Sequence, residues 1–169
     1  MPKTKGVVRL MLPHLLSTLA LVALALLLGA TLYESVVMAP NYERDIPSSV
    51  DAARQFLKRT TPAHFFRVLS PVTQVLLLAS IVASWSQETA RWGVVTALGL
   101  LLLLDAITFS FHYPRLAVMF KGPMPEDHER LRRAAREWAV GNWVRALLLL
   151  IAFLSTLRAV VVLAAPRLT

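Results

Sequence analysis

The chain has 169 residues, 56% of them hydrophobic, and a formal net charge of +8. Its mean hydropathy of +0.58 is higher than a soluble domain of this length carries. It has no cysteine, which excludes disulfides, thiolate nucleophiles, iron–sulfur clusters and cysteine-held metals. The basic residues flank apolar runs and form no nucleic-acid module. They are read as contacts to anionic lipid headgroups, and no nucleic-acid partner is expected.

Lys3, Lys5 and Arg9 precede an apolar run from Leu15 to Leu32. The run is longer than a signal-peptide core, so it predicts an uncleaved first membrane helix. Span 1 covers about residues 12–38 and ends at Ala39-Pro40. Within it, Ala25 and Gly29 form a small-xxx-small pair that permits a close helix contact. In the polar segment that follows, Ser48-Ser49-Val50-Asp51 matches a capping box with Ser48 as N-cap. A short interfacial helix from about Ser49 to Arg59 is expected there.

Span 2 opens at Thr61-Pro62, an N-cap residue followed by a first-turn proline. It runs to about residue 85, with a kink expected at Pro71. The short link to span 3 lies between Trp85 and Trp92, as in an interfacial aromatic belt. Span 3 covers about residues 92–113. Pro125 with Glu126, Asp127 and Glu129 predicts the start of an amphipathic helix. That helix leads into span 4, about residues 138–165, with Gly141 at the join and Pro166 as the stop. The expected fold is all-α: a single domain over 1–169, a transmembrane antiparallel four-helix bundle with short amphipathic helices in the two longer loops. The N-terminal basic residues favour a multi-pass protein of a bacterial inner membrane with both termini cytoplasmic. Against this, the two longer loops carry ten basic residues.

Glu34, Asp105, His112 and Arg145 interrupt these apolar spans. A charged group at the bilayer centre costs about 3 kcal/mol or more, so such residues face an interior and have partners or a task. Alternating span direction brings the end of span 1, the start of span 2, the end of span 3 and the start of span 4 to one side. Glu34, His64, Asp105, His112, Asn142 and Arg145 therefore gather there. Asp105 and His112 are two helical turns apart, about 10.5 Å along the axis. Trp138, Asn142 and Arg145 share one helix face, and so do His64, Arg67, Pro71 and Gln74.

Several chemistries fit this set. Glu34 or a histidine can abstract a proton while Arg145 or Asn142 stabilises an oxyanion. Glu34, His64, Asp105 and His112 can be weighed as ligands of a metal, although no H-E-x-x-H or E-x-x-H pair is present. His64 and His112 can be weighed as axial ligands of haem. A structural Asp105–Arg145 ion pair is the plain alternative. In that case the chain is a non-catalytic accessory protein, or a binder of a small molecule, metal or haem. Composition and spacing leave the cofactor and metal content open.

Two segments, "GATLYESVVMAP" and "EWAVGNWVRALLLLIAFLSTLRAV", resemble small four-helix membrane proteins related to anthrone oxygenases. The matching positions are Gly29, Tyr33 and Pro40 in span 1, and Trp138, Asn142 and Arg145 in span 4. The resemblance implies O₂-dependent oxidation of a hydrophobic aromatic substrate, by an oxygenase that is either cofactor-independent or metal-dependent. With the polar set above, the expected catalytic residues are Glu34, His112, Asn142 and Arg145. Tyr33, His64, Asp105 and Trp138 are expected to bind substrate. The expected partners are the lipid bilayer, a hydrophobic small molecule and a further copy of the chain.

Overall fold

The computed structural model describes residues 3–165, with side chains from residue 11 onward. The expected roles of Lys3, Lys5, Arg9 and Pro166 lie outside these described side chains. All regular structure among the described residues is helical. The helices are α1 (Lys3–Tyr33), α2 (Ala39–Glu43), α3 (Ser48–Phe56), α4 (Pro62–Ala83), α5 (Glu88–Ile107), α6 (Tyr113–Phe120) and α7 (His128–Ala164). Four stretches are long and apolar enough to cross a membrane: Met11–Glu43, Pro62–Ala83, Glu88–Phe120 and His128–Ala164.

Pro40 and Pro114 do not end spans 1 and 3. Each follows a five-residue π-helical turn, Glu34–Met38 in the first case and Thr108–His112 in the second. Ala39 donates its backbone N–H to the Glu34 carbonyl, and Tyr113 donates to that of Thr108. The cause is the proline that follows. It has no N–H to give, and its ring crowds the carbonyl four residues back. One wider turn moves that carbonyl aside, and the chain continues as α2 or α6.

The four spans close into a ring in which α1 and α5 each pack on both α4 and α7. Small and branched side chains fill the centre, among them Ala20, Leu24, Leu27, Leu77, Val94, Leu101 and Leu149. The first part of α5 meets the last part of α7. A Cβ at Gly93 would stand 2.8 Å from the Ser155 carbonyl oxygen, so glycine is what lets these helices close. Outward-facing Val22, Leu26, Val72, Leu78, Leu102, Leu147 and Leu154 are exposed and give the ring an apolar exterior that contacts lipid. Ala25 and Gly29 also face outward, with nothing within 4 Å of a Cβ at Gly29. Among the described residues the small-residue pair therefore marks no close helix contact.

A second core lies at one end of the ring, where α2, α3, α6 and the start of α7 bury Tyr42, Val50, Met119, Leu131 and Trp138. The Tyr42 ring is 5.5 Å from both Phe120 and Trp138. Arg54 of α3 ties this end together. Its Nε donates to the Met119 carbonyl at 2.5 Å, and Nη1 donates to the Gly122 carbonyl at 3.1 Å. These are carbonyls that the end of α6 leaves without a helical donor.

The helix starts follow local chemistry. The capping box expected at Ser48 is absent, and α3 has no side-chain cap. The preceding turn takes over its first donors: Ser49 N–H bonds the Asp45 carbonyl at 2.7 Å, and Asp51 N–H bonds that of Pro47 at 3.0 Å. At α4 the expected Thr61 cap is present, and His64 completes a reciprocal capping box. α7 begins later than expected, because the Asp127 carboxylate accepts the Arg130 N–H at 3.1 Å. It then runs unbroken through Gly141 to Ala164.

Candidate active site

Glu34 opens the first π-helical turn and is 7% exposed. Its Oε2 lies 3.7 Å from Nη1 of Arg145, which is 5% exposed. The same Nη1 donates to Asn142 Oδ1 at 3.1 Å, an i, i+3 bond along α7. Phe66 of α4 covers the guanidinium, with its ring centroid 4.9 Å away. Away from water, each charge of such a pair depends on the other.

The Asp105–Arg145 ion pair weighed as the plain alternative is not formed among the described residues. Asp105 instead accepts from Ser70 Oγ at 3.2 Å and from Gln74 Nε2 at 2.5 Å. Ser70 and Gln74 are one turn apart on α4, so together they bracket the carboxylate with two neutral donors. Depth along the spans placed Asp105 and Arg145 at one level. Helix rotation turned Asp105 toward α4 and gave Arg145 to Glu34.

His112 closes the second π-helical turn and is 1% exposed. Its ring lies against Gly141, where a Cβ would stand 2.8 Å from both Cε1 and Nε2. Among the described residues neither ring nitrogen has a hydrogen-bond partner, and the same holds for Asn142 Nδ2 and Arg145 Nε. Gly141 is therefore a socket for the imidazole rather than a join between two helices.

A cleft of about 150 Å³ opens beside this polar level. Its walls are mostly apolar: Leu27, Phe66, Pro71, Leu101, Leu104, Phe109 and Leu149. Its polar lining is Arg67, Ser70, Asp105, Thr108, Tyr113 and Arg145. Asp105 and Arg145 thus bring opposite charges to one apolar cleft while each is held by different neighbours. Glu34 and Asn142 contact Arg145 but do not line the cleft, and His112 does not line it either.

Three expected substrate contacts lie elsewhere. Tyr33 is 58% exposed. It follows from its neighbour: with Glu34 turned inward, the adjacent residue is rotated about 100° around the helix. Trp138 is buried in the second core against Tyr42. His64 is exposed and serves α4, accepting the Thr61 N–H on Nδ1 at 3.1 Å. Of the four residues weighed as metal ligands, His64 is thus at a helix cap and His112 against Gly141. Among the described residues no three His, Asp or Glu side chains are placed to hold a metal ion.

Ser70 and Phe66 were not anticipated. Ser70 did leave a signal, since it falls three residues after Arg67 and four before Gln74 on a face already marked as polar. Phe66 left none, because an aromatic residue in a membrane helix reads the same whether it covers an arginine or faces lipid.

A family model described as anthrone oxygenase matches residues 63–155. The match contains Ser70, Gln74, Asp105, His112, Asn142 and Arg145, and leaves out Gly29, Tyr33, Glu34 and Pro40. No curated protein and no solved structure matches the chain. The matched segment begins in the first turn of α4, takes in the walls that carry Asp105 and Arg145, and covers more than half of the sequence. The chain belongs to the anthrone oxygenase family.

Proposed function

We propose that the cleft oxidises a hydrophobic aromatic substrate of anthrone type, one with an acidic ring CH₂ beside a conjugated carbonyl, using O₂. The observation that carries this reading is the pairing of Asp105 and Arg145 in one apolar cleft without mutual neutralisation. A carboxylate and a guanidinium that face the same small volume can take a proton and hold the oxyanion that results. Asp105 is the base in this reading, in place of Glu34 or His112, because it alone of the three lines the cleft. Ser70 and Gln74 orient it. Arg145 meets the developing enolate oxygen. Glu34 and Asn142 act through Arg145 as positioning residues.

The reaction balances as CH₂ plus O₂ giving C=O plus H₂O. Asp105 removes one proton and leaves an enolate. The enolate passes one electron to O₂, and the carbon radical and superoxide combine to form a C–O bond. The resulting peroxide anion takes that proton back from Asp105 to become a hydroperoxide; Asp105 then removes the second C–H proton, and the O–O bond breaks to give the carbonyl and hydroxide. Hydroxide takes up a proton and leaves as water. The negative charge that appears on oxygen at each stage is what a buried guanidinium stabilises, and the surrounding apolar wall strengthens that interaction.

The test is isotopic. Protein reconstituted in nanodiscs, given an anthrone under ¹⁸O₂, is expected to return a quinone with one ¹⁸O in the new carbonyl. A new carbonyl oxygen that comes from water, or no protein-dependent oxidation, contradicts the proposal.

A further inference from the structure

Arg67 lines the cleft yet is exposed. The other two charged residues of the lining are already engaged, Asp105 by Ser70 and Gln74, and Arg145 by Glu34 and Asn142. Among the described residues Arg67 has neither an ion pair nor a side-chain hydrogen bond; the ion pairs there are made by Arg115, Arg132, Arg136 and Arg145. Among the described residues it is therefore the charge of the cleft left for something outside the protein.

Its place is specific. Arg67 stands one turn before Ser70 on α4, five residues into a helix that begins at Pro62. That is roughly 7.5 Å from the helix start, where an arginine can stay charged near the headgroup boundary. Beside it Phe65 and Val68 face outward and Phe109 of the second π-helical turn is exposed, so the mouth is apolar at its edges and cationic at one point. Exposure falls from Arg67, which is exposed, through half-buried Asp105 to Arg145, which is buried under Phe66.

We propose that Arg67 is the rim contact for an anionic substituent on an otherwise apolar substrate that enters the cleft sideways from the bilayer, between α4 and α5. A carboxylate or phenolate sits at Arg67 while the aromatic body lies against Pro71, Leu101 and Leu104. This orientation turns the far end of the substrate toward Asp105 and Arg145. The inference rests on the cleft being the substrate site. An anionic lipid headgroup shares the recognition chemistry, so the test separates the two.

The experiment is anaerobic binding, which needs no turnover. Full-length protein in phosphatidylcholine nanodiscs is titrated with anthracene-2-carboxylate and with neutral 2-(hydroxymethyl)anthracene, read by anthracene fluorescence. The carboxylate is expected to bind about fivefold tighter, the scale of one exposed charge pair. Arg67→Gln is expected to abolish the preference while the neutral ligand binds as before, which also shows that the variant is folded. Arg67→Lys is expected to keep part of the preference. Leu101→Trp, which fills the cleft, is expected to weaken both ligands. The proposal is overturned if wild type shows no preference, or if Arg67→Gln keeps it. It is also overturned if phosphatidylglycerol in the nanodisc erases the preference, since Arg67 then serves a headgroup. Retained preference without O₂ uptake sinks the oxygenase reading alone; O₂ uptake with no preference sinks the Arg67 assignment alone.

Discussion

At the scale of single residues, the cost of a charge in a membrane made Glu34, Asp105 and Arg145 legible, because apolar spans do not carry such groups idly. Which charge would meet which was not legible. Partner choice depends on helix rotation to within a fraction of a turn, and depth alone put Asp105 beside Arg145. Gly141 shows the same limit from the other side. A glycine in a long helix reads as a join, whereas here the missing Cβ makes room for the His112 ring. Gly141→Ala is therefore expected to lower stability by about 1–3 kcal/mol, the range for forcing a methyl group into a filled core. Gly29→Ala, with nothing within 4 Å of its Cβ, is expected to be neutral or to stabilise by about 0.5–1 kcal/mol. Thermal unfolding of the two variants in the same nanodiscs checks the contrast. Equal effects would mean that His112 does not occupy the socket.

At the scale of elements, caps and turns decide what the polar residues do. Thr61-Pro62 announced the start of α4, but His64 looked like a ligand because imidazole is the commonest metal-ligating side chain. Its Nδ1 accepts the Thr61 N–H instead. His64→Ala is expected to cost about 0.5–2 kcal/mol of stability, the worth of a helix cap, with O₂ uptake within about twofold of wild type. A collapse of turnover at unchanged stability would return His64 to the site. The two π-helical turns were illegible, since an i→i−5 turn has no apolar period of its own, and Pro40 read as the end of span 1. Pro114 shapes the site from outside it: the turn before it carries Thr108 and Phe109 to the cleft and His112 to Gly141. Pro114→Ala removes the clash and restores a donor, so the turn should relax toward α geometry. That shifts one flank against the other by about 100°. O₂ uptake is expected to fall while helix content by circular dichroism stays constant. Unchanged uptake would show that the proline does not hold the turn.

At the scale of the whole molecule, the four spans and the all-helical fold followed from hydropathy and length, because a bilayer demands long, internally bonded apolar helices. The second core could not be read this way. Tyr42, Val50, Met119 and Trp138 come from four elements and share no local period. Side assignment is testable directly because the chain has no cysteine. A cysteine at Ser86, in the α4–α5 link, should react with a membrane-impermeant maleimide from one face. Cysteines at Lys58 and Lys121 should react from the other, and reaction of all three from one face would contradict the four-span arrangement. The central claim is that Asp105 and Arg145 make this cleft an oxygenase site, and the most direct measurement is anthrone-dependent O₂ uptake by Asp105→Asn beside wild type in nanodiscs. A loss of about 10²–10⁴-fold is expected, the worth of a general base, with substrate binding retained. Uptake within about twofold of wild type would contradict it.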